Sequence, residues 1–354
     1  MEEGSETKRV GGADEGALVS VPQSSEALAL TCAPAPGRTS HLAASTMLLT
    51  GHAAAVYCLQ FNPTGDALAS GSFDKSILLW DIYGEECKNY NVLTGHTNAV
   101  LDLKWSRDST MIASASADKT LMIWDTNKGT RLRKCTEHTS CVNSVAAAGG
   151  KASTGSVATL FATASDDKTV KLWDTRSRRA VETMEHRFQL LAVALSADGK
   201  KVYAGGLDNN ILMWDLSKGG EEPADVYEGH SETVTGLSLS PDGKYLLSNA
   251  MDNTLRQWDV RPFVTGARQV QVFQGAMHGS DRNLLRCAWS YDGEMVSAGS
   301  VDRAVHVWDV PSGQELYYLP GHKGTVNEVV FHPNEPVIAS ASSDKTCFLG
   351  ELAG

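Results

Sequence analysis

A chain of 354 residues that is 42% hydrophobic and 21% charged can bury a large core, and its formal net charge of -11 weighs against broad electrostatic binding of a phosphate backbone, which needs clustered Lys and Arg. Its seven cysteines (Cys32, Cys58, Cys87, Cys135, Cys141, Cys287 and Cys347) are an odd set with no CxxC pair, which argues against a disulfide framework or a zinc site and fits a reducing compartment. No stretch reaches the roughly 18 uninterrupted apolar residues of a membrane span, and the acidic start MEEGSETKRVGGADEG lacks the apolar core of a secretory signal, so a cytosolic or nuclear protein is expected.

Residues 1–45 are rich in Ala, Gly, Ser and Pro, show no sustained period of 2 or 3.6, and are expected to form a disordered low-complexity tail. From Thr46 to the end at residue 354 one pattern recurs seven times: Gly-His or a relic of it, an alternating apolar run, a turn Asp, and a strand ending in Trp-Asp. The pairs are Trp80-Asp81, Trp124-Asp125, Trp173-Asp174, Trp214-Asp215, Trp258-Asp259 and Trp308-Asp309, with Leu349-Gly350 in the seventh place. Six residues before each Trp, or before Gly350, stands Asp74, Asp118, Asp167, Asp208, Asp252, Asp302 or Asp344, an offset that predicts two-residue turns between strands of fixed register. His52, His96, His138, His186, His230, His278 and His322 open the repeats, and in five of these the turn Asp follows 22 residues later.

A repeat of roughly 41 to 50 residues built this way predicts an all-β fold, a seven-bladed WD-repeat β-propeller over 46–354. The last repeat stops after its third strand, while Thr46-Met47-Leu48-Leu49 precedes the first Gly-His with no blade of its own. That N-terminal strand is expected to complete the seventh blade and close the ring, which removes an open edge. Two loops lengthen: an extra segment over 146–156, AAAGGKASTGS, and the connection from Arg261 to Gln274.

Within the first blade His52, Ser70, Asp74 and Trp80 have the residue types of a catalytic triad. The same offsets recur in His96, Ser114, Asp118 and Trp124 and in His230, Ser248, Asp252 and Trp258, with His138, Thr163, Asp167 and Trp173 as a variant. Active sites do not come in series, so these sets read as buried hydrogen-bond chains that lock blades. Ala204 and Ala298 stand at the hydroxyl position of blades four and six, and blade seven lacks the Trp, so these three should be softer. His41, His306 and His332 have no ligand spacing, and Gly149-Gly150 and Gly205-Gly206 lack a GxGxxG context. No metal, cofactor, small-molecule substrate or enzymatic activity is expected.

The surface is more informative. In WD propellers, the residues just before each turn Asp, and those one beyond the apolar residue opening the innermost strand, generally line one mouth of the central channel. Here the first set is Phe73, Ala117, Asp166, Leu207, Met251, Val301 and Ser343, and the second Tyr57, Leu101, Asn143, Leu191, Thr235, Leu285 and Asn327. Tyr57, Phe73, Leu101, Leu191, Leu207, Met251, Leu285 and Val301 make that face apolar enough to be a protein-binding surface. Lys75, Lys119, Lys168, Arg303 and Lys345 follow the turn Asp and read as turn residues more readily than as a basic ring for RNA. Trp173-Asp174-Thr175-Arg176 and Trp258-Asp259-Val260-Arg261 resemble the Trp-Asp-x-Arg box of substrate receptors for cullin-based ubiquitin ligases, an alternative reading.

The residues quoted identify the chain as a member of the WD-repeat family. From about Met47 to Leu352 it also resembles the WD-repeat subunits of the U5 small nuclear ribonucleoprotein of the spliceosome. The resemblance lies in VTGLSLSPDGKYLLSNAMDNTLRQWDVRPF (234–263), NLLRCAWS (283–290), LPGHKGTVNEVVFHPNEPVIASASSDKTCFLGEL (319–352) and the Leu349-Gly350-Glu351 ending. It implies a nuclear scaffold that packs against the large U5 core protein and neighbouring U5 proteins, near the particle's RNA helicase. Such a scaffold supports pre-mRNA splicing without chemistry of its own and with at most limited RNA contact. The tail before Ser45 and the 146–156 segment lie outside the resemblance.

Overall fold

Strand β1 (Thr46–Thr50) stands apart from the first blade, which is β2 (Val56–Phe61), β3 (Ala67–Ser72), β4 (Ser76–Asp81) and β5 (Asn89–Thr94), antiparallel in that order. The same four-stranded order recurs in five further sheets, and the seventh sheet joins Val326–Phe331, Val337–Ser342 and Thr346–Glu351 to β1. The computed structural model describes residues 40–352 except 85–87, 149–159, 178, 221 and 282. The chain forms a seven-bladed β-propeller. Its first and last strands pair, Thr46 opposite Gly350 and Thr50 opposite Thr346, so the ring closes through backbone hydrogen bonds between the two ends of the repeat region.

Composition explains the layers. The second strands are built of small residues, ALASGS in β3, all buried, which lets neighbouring blades approach closely. The third strands carry the bulk, SILLWD in β4, and each third-strand tryptophan packs on the preceding blade. Trp80, for example, clusters with Leu49, Val337, Ala339 and Leu349 of blade seven.

Three expectations need correction. The loop holding the turn Asp has three residues in blades one, three, five and seven and four in blades two, four and six, not two: in blade one Phe73, Asp74 and Lys75 separate β3 from β4, and the Lys75 N–H donates to the Ser72 carbonyl. The residue after the Asp is left-handed in every blade (Lys75, Lys119, Lys168, Asn209, Asn253, Arg303 and Lys345, φ 61 to 76°), the geometry of a type I turn closed by an αL residue. The 146–156 segment cannot begin at Ala146, because Ala146 and Ala147 pair with Ala162 and Phe161 as strand residues; 149–159 lie outside the described residues. Of the expected tail, 1–39 lie outside the described residues, but packing starts before Thr46: Leu42 is buried in the first core cluster and the Ser40 N–H donates to Glu351 Oε1 at 3.1 Å.

Candidate functional site

The histidine sets have uniform geometry in four blades. In blade one His52 Nδ1 lies 2.9 Å from Asp74 Oδ2, its Nε2 2.8 Å from Ser70 Oγ, and Trp80 Nε1 donates to the same Oγ at 2.8 Å. Blade two repeats this with 2.9, 2.7 and 2.8 Å, blade three with 2.7, 2.8 and 2.8 Å, and blade five with 2.9, 2.6 and 2.8 Å. Ser70, Ser114, Thr163 and Ser248 are each 0% exposed, so no substrate can reach these hydroxyls. Each carboxylate draws Nδ1–H, which leaves Nε2 to accept from the hydroxyl and the hydroxyl to accept from the indole, a chain with every member satisfied. Burial opposes ionisation of Asp118, Asp167 and Asp252, but the hydrogen bonds from His96, His138 and His230 and from Thr120, Thr169 and Thr254 outweigh it. These carboxyls are held well below their usual range. Burial also lowers His52, favouring the neutral ring the chain requires.

The other three blades depart in different ways. In blade four Ala204 takes the hydroxyl place, His186 presents Nε2 to Asp208 at 2.9 Å, and the buried Trp214 Nε1 meets no acceptor among the described residues. In blade six His278 does not open the blade as the sequence pattern predicts. Gly275, at φ +134° against Trp308 as Gly95 is against Trp124, marks the Gly-His position, so buried Ala276 replaces the histidine. His306, from the third strand, stacks on Trp308 and reaches Asp302 at 2.9 Å and Glu315 at 2.6 Å. His278 instead meets Asn249 at 3.2 Å, and burial lowers it to about 4. Blade seven keeps more than its lost tryptophan suggests: His322 joins Asp344 at 3.0 Å and Ser340 at 2.8 Å, and hydrogen bonds overcome burial to bring Asp344 down to about 2.

At the hairpin-turn end of the blades Phe73 (54% exposed) and Leu207 (44%) project into solvent, with Tyr57, Leu101, Leu191, Met251 and Val301 half-buried around the channel mouth. The geometry follows from a β-bulge. In every blade but the sixth the first strand shifts register around its second residue, which is Tyr57, Leu101, Asn143, Leu191, Thr235 or Asn327. An unpaired bulge residue is re-aimed, here toward the mouth. Leu285 does not belong to this face and is 0% exposed. The blade-six ladder starts only at Cys287, so Leu285 is not bulged outward; its carbonyl accepts from Thr235 Oγ1 at 3.0 Å. Asn143, Thr235 and Asn327 are buried as latches to the next blade, Asn327 Nδ2 donating to the Val56 carbonyl at 2.7 Å. Phe188 (50%) and Met277 (56%) extend the face, beside Leu207 and Val301 through the Leu207 N–H to Gln189 and the Val301 N–H to Met277. They lie in loops outside the repeat signature, where residue spacing carries no signal for them.

Charged residues inside the channel also escaped the sequence reading. Arg286 Nη2 donates to the Asn143 carbonyl at 2.5 Å, and Nη1 to those of Thr235 at 3.1 Å and Leu191 at 3.3 Å, while its N–H donates to the Asn327 carbonyl. One side chain of blade six thus ties blades three, four and five across the axis. Asp102 lies 3.7 Å from that guanidinium and accepts from Ser144 Oγ and the Val145 N–H, and Glu328 accepts from the Leu59 N–H. Burial raises the Glu328 carboxyl against the pull of Lys104, 3.8 Å away. The signal was present: Asp102, Arg286 and Glu328 share one place in the first strand, where blades one, three, four and five carry Cys58, Ser144, Ala192 and Gly236. Arg176 and Arg261, of the two Trp-Asp-x-Arg boxes, fold back to donate to Asp174 and Asp259.

Comparison with known proteins agrees with this architecture. The WD domain, G-beta repeat family matches seven segments, 44–81, 87–125, 129–174, 179–215, 221–259, 268–309 and 313–349. The chain is 49% identical over 317 residues to the U5 small nuclear ribonucleoprotein 40 kDa protein of Mus musculus and 48% identical to that of Homo sapiens, in each case over 90% of this chain and 86% of the relative. It is 42% identical to the pre-mRNA-splicing factor cwf17 of Schizosaccharomyces pombe, over 89% of this chain and 90% of that protein. With seven matched repeats on seven observed sheets and near-full-length identity of this order, the chain belongs to the WD-repeat family and, within it, to the group of the U5 small nuclear ribonucleoprotein 40 kDa proteins.

Proposed function

We propose that the chain is a non-catalytic scaffold of the U5 small nuclear ribonucleoprotein, acting in pre-mRNA splicing in the nucleus. It docks on the large U5 core protein and neighbouring U5 proteins through its hairpin-turn face. The observation that carries the splicing role is the 48–49% identity over 90% of the chain to proteins bearing that particle's name. The docking face is supported by its chemistry: Phe73, Phe188, Leu207 and Met277 are each 44% or more exposed, together with the half-buried Tyr57, Leu101, Leu191, Met251 and Val301. Apolar groups gathered at one end of a fold, with aromatic anchors among them, suit a protein partner. RNA contact is confined to scattered points, since Lys75, Lys119, Lys168, Arg303 and Lys345 stand one per blade in left-handed turns. The ubiquitin-ligase reading is supported less well, because both box arginines are paired with their own aspartates.

Replacing Phe73, Leu207 and Met251 together by Asp tests the docking face. The melting curve should stay close to the parent's, because Phe73 and Leu207 are exposed and Met251 is half-buried, while co-sedimentation with the U5 particle should be lost. A folded triple variant that still co-sediments overturns that face as the docking site.

A further inference from the structure

Six of the seven seams between blades hold a third-strand tryptophan: Trp80, Trp124, Trp173, Trp214, Trp258 and Trp308 each sit in an apolar cluster shared with the preceding blade. The seam between blades six and seven is filled by Val305, Val307, Val326, Val329, Ile338 and Leu352, and Gly350 stands at the tryptophan place, paired with Ile338 as Trp80 is paired with Leu68. Beside Gly350 lies a cavity of about 220 Å³, lined by Val305, Leu319, His322, Ile338, Ser340 and Phe348 among others. It reaches solvent past Thr46, Pro320 and Gly321, all exposed.

Three observations define what this cavity fits. The glycine is not demanded by the backbone: Gly350 is not left-handed, and a Cβ built on it would meet only Ile338 Cγ2, at 4.0 Å. The polar floor is preserved. Ser340 Oγ gives its hydrogen to His322 Nε2 at 2.8 Å, as Ser70 Oγ does to His52, and the acceptor face that takes the Trp80 indole N–H in blade one opens into the cavity of blade seven. The volume is ample, since a dry engineered cavity of about 150 Å³ holds benzene, and one wall is the Phe348 ring, edge-on to His322 at 4.7 Å. A largely apolar slot with the Ser340 hydroxyl as an acceptor at the tryptophan place suits a flat ring carrying one N–H donor.

We propose that this cavity is a docking site for a tryptophan side chain of a partner polypeptide, taken between blades six and seven as the chain's own third-strand tryptophans are taken at the other seams. The site lies at the blade seam and is separate from the hairpin-turn face, so either can fail without the other.

The test uses the full chain with selectively labelled Ile and Val methyls, titrated with indole and with N-acetyl-tryptophanamide. Both probes should bind saturably, shifting the methyls of Ile338 and Val305. Ser340→Ala should weaken indole about tenfold while leaving toluene unchanged, the cost of one hydrogen bond. Gly350→Trp should abolish binding of both probes and raise the melting temperature; should it not fold, Gly350→Leu, which fills part of the cavity, should weaken both. The proposal is overturned if neither probe shifts Ile338 and Val305, or if the filling variant that folds binds the probes as the parent does. Binding of indole but not of N-acetyl-tryptophanamide also overturns it, because the mouth would then exclude a ring carried on a backbone.

Discussion

Blades two and four share a strand order and the His, Asp and Trp of the hydrogen-bond chain, and within that chain they part at one hydroxyl. In blade two Ser114 accepts from Trp124 at 2.8 Å and meets His96 at 2.7 Å, so indole, hydroxyl, imidazole and Asp118 form one satisfied chain. In blade four Ala204 breaks the chain in the middle: the indole of Trp214 meets no acceptor among the described residues, and His186 turns its other nitrogen to Asp208. The sheet itself is intact, with Lys201 to Gly205 paired to Ile211 to Asp215. The chains therefore stiffen blades that the backbone ladder and apolar packing have already built, and the tryptophan is held by its seam as much as by its hydrogen bond.

The largest effect that sharpens this comparison is collective and pH-dependent. Asp118, Asp167 and Asp252 are held well below the usual 3.8, and Asp344 at about 2, by donors present only in the fold. A lowered folded value means stabilisation that is complete above about pH 4 and is lost as the pH falls through the folded values. His52 and His322, lowered from 6.5 by burial, act in the same direction from pH 6.5 downward. The melting temperature should fall steadily from about pH 6.5 to about pH 2, and Asp118→Asn should flatten the acid limb; a flat profile contradicts the assignment. Next in size, Ser114→Ala leaves the Trp124 indole without its acceptor and should cost about 1–3 kcal/mol in denaturant unfolding. The smallest is the reverse change: Ala204→Ser supplies the acceptor for Trp214 and should add about 1 kcal/mol. A loss there would mean that blade four has packed around the alanine.

Much of this was legible because a repeated blade exposes its own rules. The Trp-Asp spacing placed the strands, and recurrence of the His, Ser, Asp and Trp offsets showed four locks in place of an active site. The sequence misled where a register broke. His278 stands beside a Gly-His position occupied by Gly275-Ala276, and no spacing rule could announce that His306, from another strand, would take over Asp302. Leu285 was misplaced because the rule for the channel mouth assumes a bulged first strand, and blade six begins its ladder two residues later. Phe188 and Met277 lie in loops whose residues follow no period, so their exposure on the apolar face could not be read from spacing.

Local order and the closed ring were determined by the sequence itself: period-2 strands, a fixed turn offset and an N-terminal strand with no blade to join have one solution that leaves no open edge. Which side chains meet across blades was decided only by tertiary structure. Arg286 finds its carbonyl partners at Asn143, Leu191 and Thr235, and the Gly350 cavity exists only because blades six and seven come together there. The physical reason is one of range: periodicity reports neighbours within a sheet, whereas contacts across the channel and between blades depend on how seven sheets are arranged around an axis.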